Sequence, residues 1–175
     1  MPIPEHVAWL RDHVGPAPLW LTGMTAVVLK HDPDAVADPD GPAAPPSVLV
    51  VRRSDNGAYT PVSGIVDPGE HPADTAVREA EEETCVRIEV ERLIDVRVVG
   101  PITYPNGDVS TYLDHAFVCR WVSGEPRVGD DESTEAGWWP ADALPPLSDA
   151  HAALVQAAVT GEVGPYLGPP EAREA

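Results

Sequence analysis

The 175-residue chain has few basic residues, few cysteines and no long apolar run. Its 11 Lys and Arg stand against 29 Asp and Glu, so the formal net charge is −18. Such a charge argues against a nucleic acid or an anionic membrane as the main partner. Cys85 and Cys119 provide no disulfide framework, which favours a cytoplasmic location. We expect no membrane span, because no run reaches about 18 apolar residues, and no signal peptide is evident.

One short segment concentrates acidic residues on a predicted helix. The turn signal Asp67-Pro68-Gly69 precedes this helix, which we expect over about residues 73–84. Glu79, Glu82 and Glu83 are spaced i, i+3 and i+4 and therefore share one helix face. Like charges at this spacing weaken a helix, whereas hard divalent cations prefer carboxylate oxygens. The pattern indicates a metal site for phosphate chemistry, and a solvated acidic surface is the plainer alternative.

The same stretch resembles the signature of the Nudix (MutT-type) hydrolase family. That signature is Gly, five residues, Glu, seven residues, then Arg-Glu-apolar-x-Glu-Glu-x-Gly-apolar. Eight of its nine defined positions agree, namely Gly64, Glu70, Arg78, Glu79, Ala80, Glu82, Glu83 and Val86. Cys85 replaces the remaining glycine. A left-handed backbone at that position costs a residue with a Cβ roughly 1 kcal/mol, so we expect mild strain or a different helix end.

The resemblance implies a fold, a reaction and a set of site residues. The fold would be α+β, an α/β/α sandwich with a mixed β-sheet and a catalytic loop–helix–loop. The reaction would be Mg²⁺-dependent cleavage of the pyrophosphate bond in a nucleoside diphosphate linked to another group X, with Mn²⁺ as a substitute. The implied metal ligands are Glu79, Glu82, Glu83 and the Gly64 carbonyl, with Glu70 and Arg78 orienting them.

Several residues outside the signature are candidates for catalysis or substrate binding. Glu132, six residues before Trp138, is the candidate general base, and a solvated acidic loop is an equally good interpretation. Trp138 or Trp139 could stack on a nucleobase, while the other packs in the core. Arg52 and Arg53 lie at a predicted strand end and could contact phosphate, or lie on the surface.

Two residues beyond the signature give conflicting indications of the substrate. In the family, a proline about 15 residues on is associated with ADP-ribose hydrolases, and Pro101 is 15 past Val86. A tyrosine about 18 residues on is associated with dinucleoside polyphosphate hydrolases, and Tyr104 is 18 past. We favour ADP-ribose or a nucleotide sugar. The alternatives are a nucleoside triphosphate or dinucleoside polyphosphate pyrophosphohydrolase, or a non-catalytic nucleotide sensor, which would be expected to lose metal carboxylates.

The rest of the sequence suggests one domain with short extensions. We predict an N-terminal helical extension (1–18), a hydrolase domain (19–160) and a flexible tail (161–175). The extension favours a homodimer. Predicted helices cover residues 4–14, 73–84 and 149–159, and predicted strands cover 21–30, 47–53, 87–100, 111–122 and 136–140. Residues 31–46 and 54–70 are predicted loops, and 101–108 form a turn.

Overall fold

A computed structural model describes residues 4–31, 44–104 and 106–161 of the chain. Within these ranges the helices are α1 (Glu5–Val14), α2 (Pro72–Thr84) and α3 (Asp149–Thr160). The strands are β1 (Leu19–Lys30), β2 (Ser47–Arg53), β3 (Tyr59–Thr60), β4 (Val62–Ile65), β5 (Arg87–Thr103), β6 (Val109–Ser123) and β7 (Ser133–Pro140). None of the helices in the described part of the chain is long and apolar enough to cross a membrane.

The strands form one mixed sheet. Its main path runs β3-β2-β1-β6-β5, with β4 paired to β1 and β7 paired to β2. The central strands β1 and β6 run parallel, and the other pairs are antiparallel. The β-branched run of β2 is buried over Val48 to Val51, as expected for a strand covered on both faces.

Helices cover both faces of the sheet. Alternate residues of a strand point to opposite faces. Met24 and Ala26 of β1 therefore pack in the core under α2, whereas Val27 and Leu29 pack under α3. Helix α1 adds a third, smaller cluster, in which Val7 meets apolar residues of β1 and β6. The structure confirms the α+β class and the α/β/α sandwich.

Strands β1 and β2 diverge, and this divergence creates the main cleft. They pair only at Leu29–Val48 and Lys30–Ser47. Nearer the start of β1, from Gly23 to Ala26, strand β4 takes the place of β2 as the antiparallel partner. The prediction of a loop over residues 54–70 was wrong in this respect, because that segment contains β3 and β4. Both strands are short, with two and four residues, and offer little periodicity to detect.

Other boundaries differ modestly from the predictions. Strand β5 contains several irregularities of register and continues past residue 100 to Thr103. Strand β7 begins at Ser133 rather than at 136, because its polar first residues pair with the end of β2. The helical extension packs on the domain, since Arg11 donates to the Val109 carbonyl oxygen over 2.9 Å. Most of the predicted loop 31–46 and all of the tail after Gly161 lie outside the described residues.

Candidate active site

Helix α2 forms where local signals agree. Pro72 occupies its first turn, and the His71 Nδ1 atom accepts a hydrogen bond from the Ala73 N–H at 3.1 Å. Thr75, Ala76, Ala80 and Thr84 are buried against the sheet. Packing of this stripe turns the neighbouring Glu79 and Glu83 toward the cleft, which both residues line.

Glu83 is the most deeply placed acidic residue of the helix, with 6% of its surface exposed. The Ser133 hydroxyl donates to Glu83 Oε1 over 2.5 Å, while Oε2 is enclosed and has no hydrogen-bond partner among the described residues. Burial raises the pKa of Glu83 to about 7, and the Ser133 hydrogen bond opposes that rise. An enclosed anionic oxygen without a partner is costly. A bound cation would satisfy Oε2.

Gly64 provides the close approach that Glu79 requires. A Cβ atom at Gly64 would lie 2.3 Å from both Cδ and Oε1 of Glu79, so any larger residue would displace the carboxylate. Burial raises the pKa of Glu79 to about 7. Gly64 lies on β4, which precedes helix α2 in the chain. The backbone of β4 therefore packs directly against the half-buried carboxylate of Glu79. The missing side chain at Gly64 thus leaves the space that the Glu79 carboxylate occupies.

Arg78 connects the acidic residues of the loop–helix–loop. Its guanidinium donates to both carboxylate oxygens of Glu70, at 2.9 and 3.0 Å, and to Glu79 and Glu82, each at 3.0 Å. The Arg78 hydrogen bonds lower the pKa of Glu70 to about 2, and Thr75 contributes a further hydrogen bond. Arg78 therefore joins the carboxylates of Glu70, Glu79 and Glu82.

Glu82 differs from its two neighbours. Its side chain is 56% exposed, is paired with Arg78, and does not line the main cleft. Within the described residues, no three His, Cys, Asp or Glu side chains are grouped closely enough to hold a metal. Mg²⁺ is commonly bound by one or two carboxylates together with water and substrate phosphate. Glu79, Glu83 and the Gly64 carbonyl are donors of the kind that such an ion takes, and the ligand roles predicted for these three residues and for Glu82 stay predictions.

The cleft beside these residues has a volume of about 640 Å³, suitable for a nucleotide-sized ligand. Glu132 lines it and is half-buried. Burial, followed by the nearby Asp130 charge, raises the pKa of Glu132. Its charge in turn raises the pKa of Glu79 and of Glu83. The structure thus brings Glu132 close to the proposed ligands, and its role as the base stays a prediction.

Of the four residues predicted to contact substrate, the structure places two in the cleft and two outside it. Arg53 and Tyr104 line the cleft. Arg53 is paired with Asp55 at 2.7 Å, and the Tyr104 hydroxyl is hydrogen-bonded to that of Tyr112 at 2.6 Å. Arg52 is exposed outside the cleft, where its Nε donates to the Gly57 carbonyl oxygen at 3.2 Å.

Trp138 is not brought to the cleft. Its ring packs against the apolar cluster under α2, and the Lys30 ammonium lies 5.3 Å from the ring centroid. Trp139 packs in the cluster on the other face. Strand alternation explains both positions, because adjacent residues of β7 face opposite sides of the sheet. Neither tryptophan is therefore placed to stack on a nucleobase in this cleft.

The sequence did not identify two groups of residues at the site. Ser133 orients Glu83, yet nothing in the sequence distinguishes it from other serines before a strand. Arg97, which is partly buried, and the buried Asp114 form an ion pair that lines the cleft, with Nε and Oδ2 3.2 Å apart. Their contact depends on the antiparallel register of β5 and β6, in which Arg97 is opposite Asp114. The sequence shows a charged residue in each of these strands, but it does not show the register that places them opposite each other.

Cys85 stands where the signature has glycine, and helix α2 nevertheless ends with a left-handed residue at this position. Cys85 has φ 59° and ψ 23°, in the left-handed region, and its N–H bonds to the Ala80 and Glu81 carbonyl oxygens. It is the one non-glycine residue with positive φ among the described residues. Of the two expectations for this position, the structure shows the strained left-handed backbone.

We expect Cys85→Gly to stabilise the protein by about 1 kcal/mol, because glycine adopts this backbone without a Cβ clash. The melting temperature should rise by about 2–4 °C, measured by differential scanning calorimetry. Cys85→Ala is the matched control, since it removes the thiol but keeps the Cβ. Equal stabilisation by both variants would contradict the backbone explanation.

Stability without metal should depend on pH through Glu83. Because its pKa is about 7 in the folded chain and near 4.5 in the unfolded chain, the folded state holds the extra proton between these values. The contribution of protonated Glu83 is complete below about pH 4.5 and is lost as pH rises through 7. Between pH 5 and 8, we expect the free energy of unfolding of the wild type to fall by up to about 3 kcal/mol relative to that of Glu83→Gln. Urea unfolding in EDTA measures this difference, and a constant difference would refute it.

Comparison with known proteins identifies the family. The family model described as the NUDIX domain matches residues 35–158, which is most of the chain. The chain belongs to the Nudix family. Solved structures of the family share the fold. A UDP-X diphosphatase has a TM-score of 0.61 at 21% identity, covering 94% of this chain and 74% of its own.

Other relatives extend the comparison. The NUDIX domain of Shewanella oneidensis NrtR, solved in complex with ADP ribose, has a TM-score of 0.57 at 21% identity, covering 87% of this chain and 95% of its own. The NAD-capped RNA hydrolase NudC of Pseudomonas syringae pv. tomato is 27% identical over 180 residues, covering 93% of this chain and 60% of its own. The chain spans about a third to three-fifths of the length of the NudC relatives.

Proposed function

We propose that the protein is a Mg²⁺-dependent pyrophosphohydrolase acting on nucleoside diphosphate-linked compounds of the ADP-ribose or nucleotide-sugar type. The observation that carries the proposal is the enclosed Oε2 of Glu83, which has no hydrogen-bond partner in the described part of the chain and lies beside the cleft in a complete set of signature carboxylates. A non-catalytic sensor would have no reason to retain this unsatisfied oxygen. Mn²⁺ should substitute, because it accepts the same oxygen ligands.

The residues of the chain divide the reaction between them. When bound, the metal would neutralise charge on the non-bridging phosphate oxygens. Glu79 and Glu83 would hold it, and Arg78 and Ser133 keep their carboxylates in place. Glu132 would accept the proton of the attacking water, and its raised pKa brings it nearer the operating pH. Arg53 would meet a phosphate oxygen at the cleft wall.

The name of the NudC relatives suggests a second substrate class, NAD-capped RNA. A formal charge of −18 would repel an RNA chain, so we propose a small nucleotide as the substrate. The charge argument does not apply to free NAD, which has the same diphosphate between two nucleosides. We further propose a cytoplasmic location, from the cysteine content, and a homodimer, from the N-terminal helix.

A substrate panel tests this proposal. ADP-ribose, UDP-glucose, NAD, ATP, a dinucleoside tetraphosphate and an NAD-capped RNA are each incubated with Mg²⁺ or Mn²⁺ in ¹⁸O water, and phosphorus NMR resolves the products. We expect the sugar-linked diphosphates to be cleaved fastest, to a nucleoside monophosphate and a sugar phosphate, with no turnover in EDTA. Preference for ATP or for the capped RNA would overturn the substrate class. Absence of turnover on the whole panel would favour the sensor.

A further inference from the structure

The α3 side of the cleft carries a second polar cluster, distinct from the glutamates of α2. It consists of Thr25 on β1, Arg97 on β5, Asp114 on β6 and His151 on α3, and all four line the cleft. Helices α2 and α3 pack on opposite faces of the sheet. The cleft therefore reaches from one face to the other where β1 and β2 diverge. A ligand held by its diphosphate at the α2 side would have this cluster within the same cleft.

Charge is balanced within the cluster. The Arg97 guanidinium lies 3.2 Å from Asp114 Oδ2, and their side chains are 19% and 7% exposed. The Thr25 hydroxyl donates to the same carboxylate at 2.9 Å. Because Asp114 neutralises Arg97, the pair offers no net positive charge to a further phosphate. A neutral polar group suits this position better than an anion.

His151 adds a neutral group without a hydrogen-bond partner among the residues that the structure describes. Within the described chain its imidazole makes no hydrogen bond, and its Nδ1 atom is enclosed. Burial, supported by the Arg97 charge, lowers the pKa of His151 to about 4, so the ring is uncharged at neutral pH. A neutral imidazole has one donor and one acceptor nitrogen. A hydroxyl group, which both donates and accepts, is its natural complement.

We propose that Thr25, Arg97, Asp114 and His151 form the binding site for the sugar of X, a polyhydroxylated ring attached to the distal phosphate. This inference rests on the proposed function. Neighbouring hydroxyls of one ring donate to Asp114 and accept from Arg97, while a further hydroxyl bonds to His151. Tyr59 and Tyr104 line the same cleft and provide flat faces for a nucleobase. His151 is thus a specificity-determining residue.

Binding of two non-hydrolysable ligands tests the assignment. α,β-Methylene ADP-ribose contains the distal sugar, and α,β-methylene ADP lacks it. Isothermal titration calorimetry with Mg²⁺ compares the wild type with His151→Phe, which removes both nitrogens, and His151→Asn, which retains a polar group. We expect His151→Phe to weaken binding of α,β-methylene ADP-ribose about tenfold and binding of α,β-methylene ADP less than twofold. His151→Asn should stay within about threefold of the wild type for both.

Three results would overturn the assignment. These are unchanged affinity of His151→Phe for the sugar-containing ligand, equal weakening of both ligands, or no binding of the sugar-containing ligand to the wild type. Circular dichroism melting verifies that each variant is folded. Hydrolysis of ADP-ribose is measured separately. Selective weakening without turnover contradicts only the proposed function, whereas turnover with an insensitive His151→Phe variant contradicts only the sugar site.

Discussion

Glu83→Gln should reduce Mg²⁺-dependent release of nucleoside monophosphate by about 10³-fold or more. The substitution preserves shape but removes the charge that would bind the metal, and metal catalysis contributes several kcal/mol to such reactions, each 1.36 kcal/mol being a factor of ten. Glu83 is 6% exposed, and its Oε1 is held by Ser133. The amide oxygen of the substituted side chain would keep the Ser133 hydrogen bond, so the loss should appear in kcat and in metal affinity rather than in folding.

The control for this variant is Glu81→Gln. Glu81 is on the same helix, is exposed, and does not line the main cleft, so the same chemical change should leave turnover within about twofold. Activity is measured over a Mg²⁺ titration, and melting in EDTA shows whether either protein is destabilised. If Glu83→Gln retained wild-type turnover at saturating Mg²⁺, the proposed ligand set would be wrong.

Gly64→Ala should reduce kcat/KM by about 10²-fold. The added methyl would lie 2.3 Å from the Glu79 carboxylate, so Glu79 or strand β4 must move by an ångström or more. Misplacement of a reacting group by 1 Å can cost this factor. Stability should fall by about 1–3 kcal/mol, as is typical for overpacking. Steady-state kinetics and urea unfolding measure the two effects.

A double-mutant cycle with Glu79→Ala isolates the cause of the Gly64→Ala effect. If Gly64→Ala acts by displacing the Glu79 carboxylate, it should cost little more activity once that carboxylate has been removed. The interaction between the two substitutions should therefore be close to the full effect of Gly64→Ala. Additive losses would mean that Gly64 acts independently of Glu79, and the close approach would not be its function.

Local patterns were predictable from the sequence, and long-range pairing was not. Helix α2 was expected over residues 73–84 and covers Pro72–Thr84, because the turn before it, Pro72 and its apolar stripe are all local signals. The Arg78 contact to Glu82 follows from helix geometry alone. Strand β2 was likewise predicted with its observed ends.

The remaining features depend on contacts between distant segments. The Arg97–Asp114 pair depends on strand register, and the hydrogen bond from Ser133 to Glu83 joins residues 50 positions apart. Trp138 was expected at the cleft, but the phase of alternation along β7 turns it to the core under α2. Glu82 was expected beside Glu79 and Glu83, yet Arg78 draws it toward solvent. The acidic face of helix α2 was predicted correctly. The sequence did not show which of its glutamates would be buried and which exposed.

The divergence of β1 and β2 has an evolutionary consequence. The proposed function assigns bond cleavage to residues on β4, on α2 and at the start of β7, whereas the proposed sugar site lies on β1, β5, β6 and the start of α3. These two sets share no secondary-structure element. Mutations that alter the second set can accumulate without disturbing the first, so a descendant of this protein could acquire a new ligand while its chemistry is inherited intact.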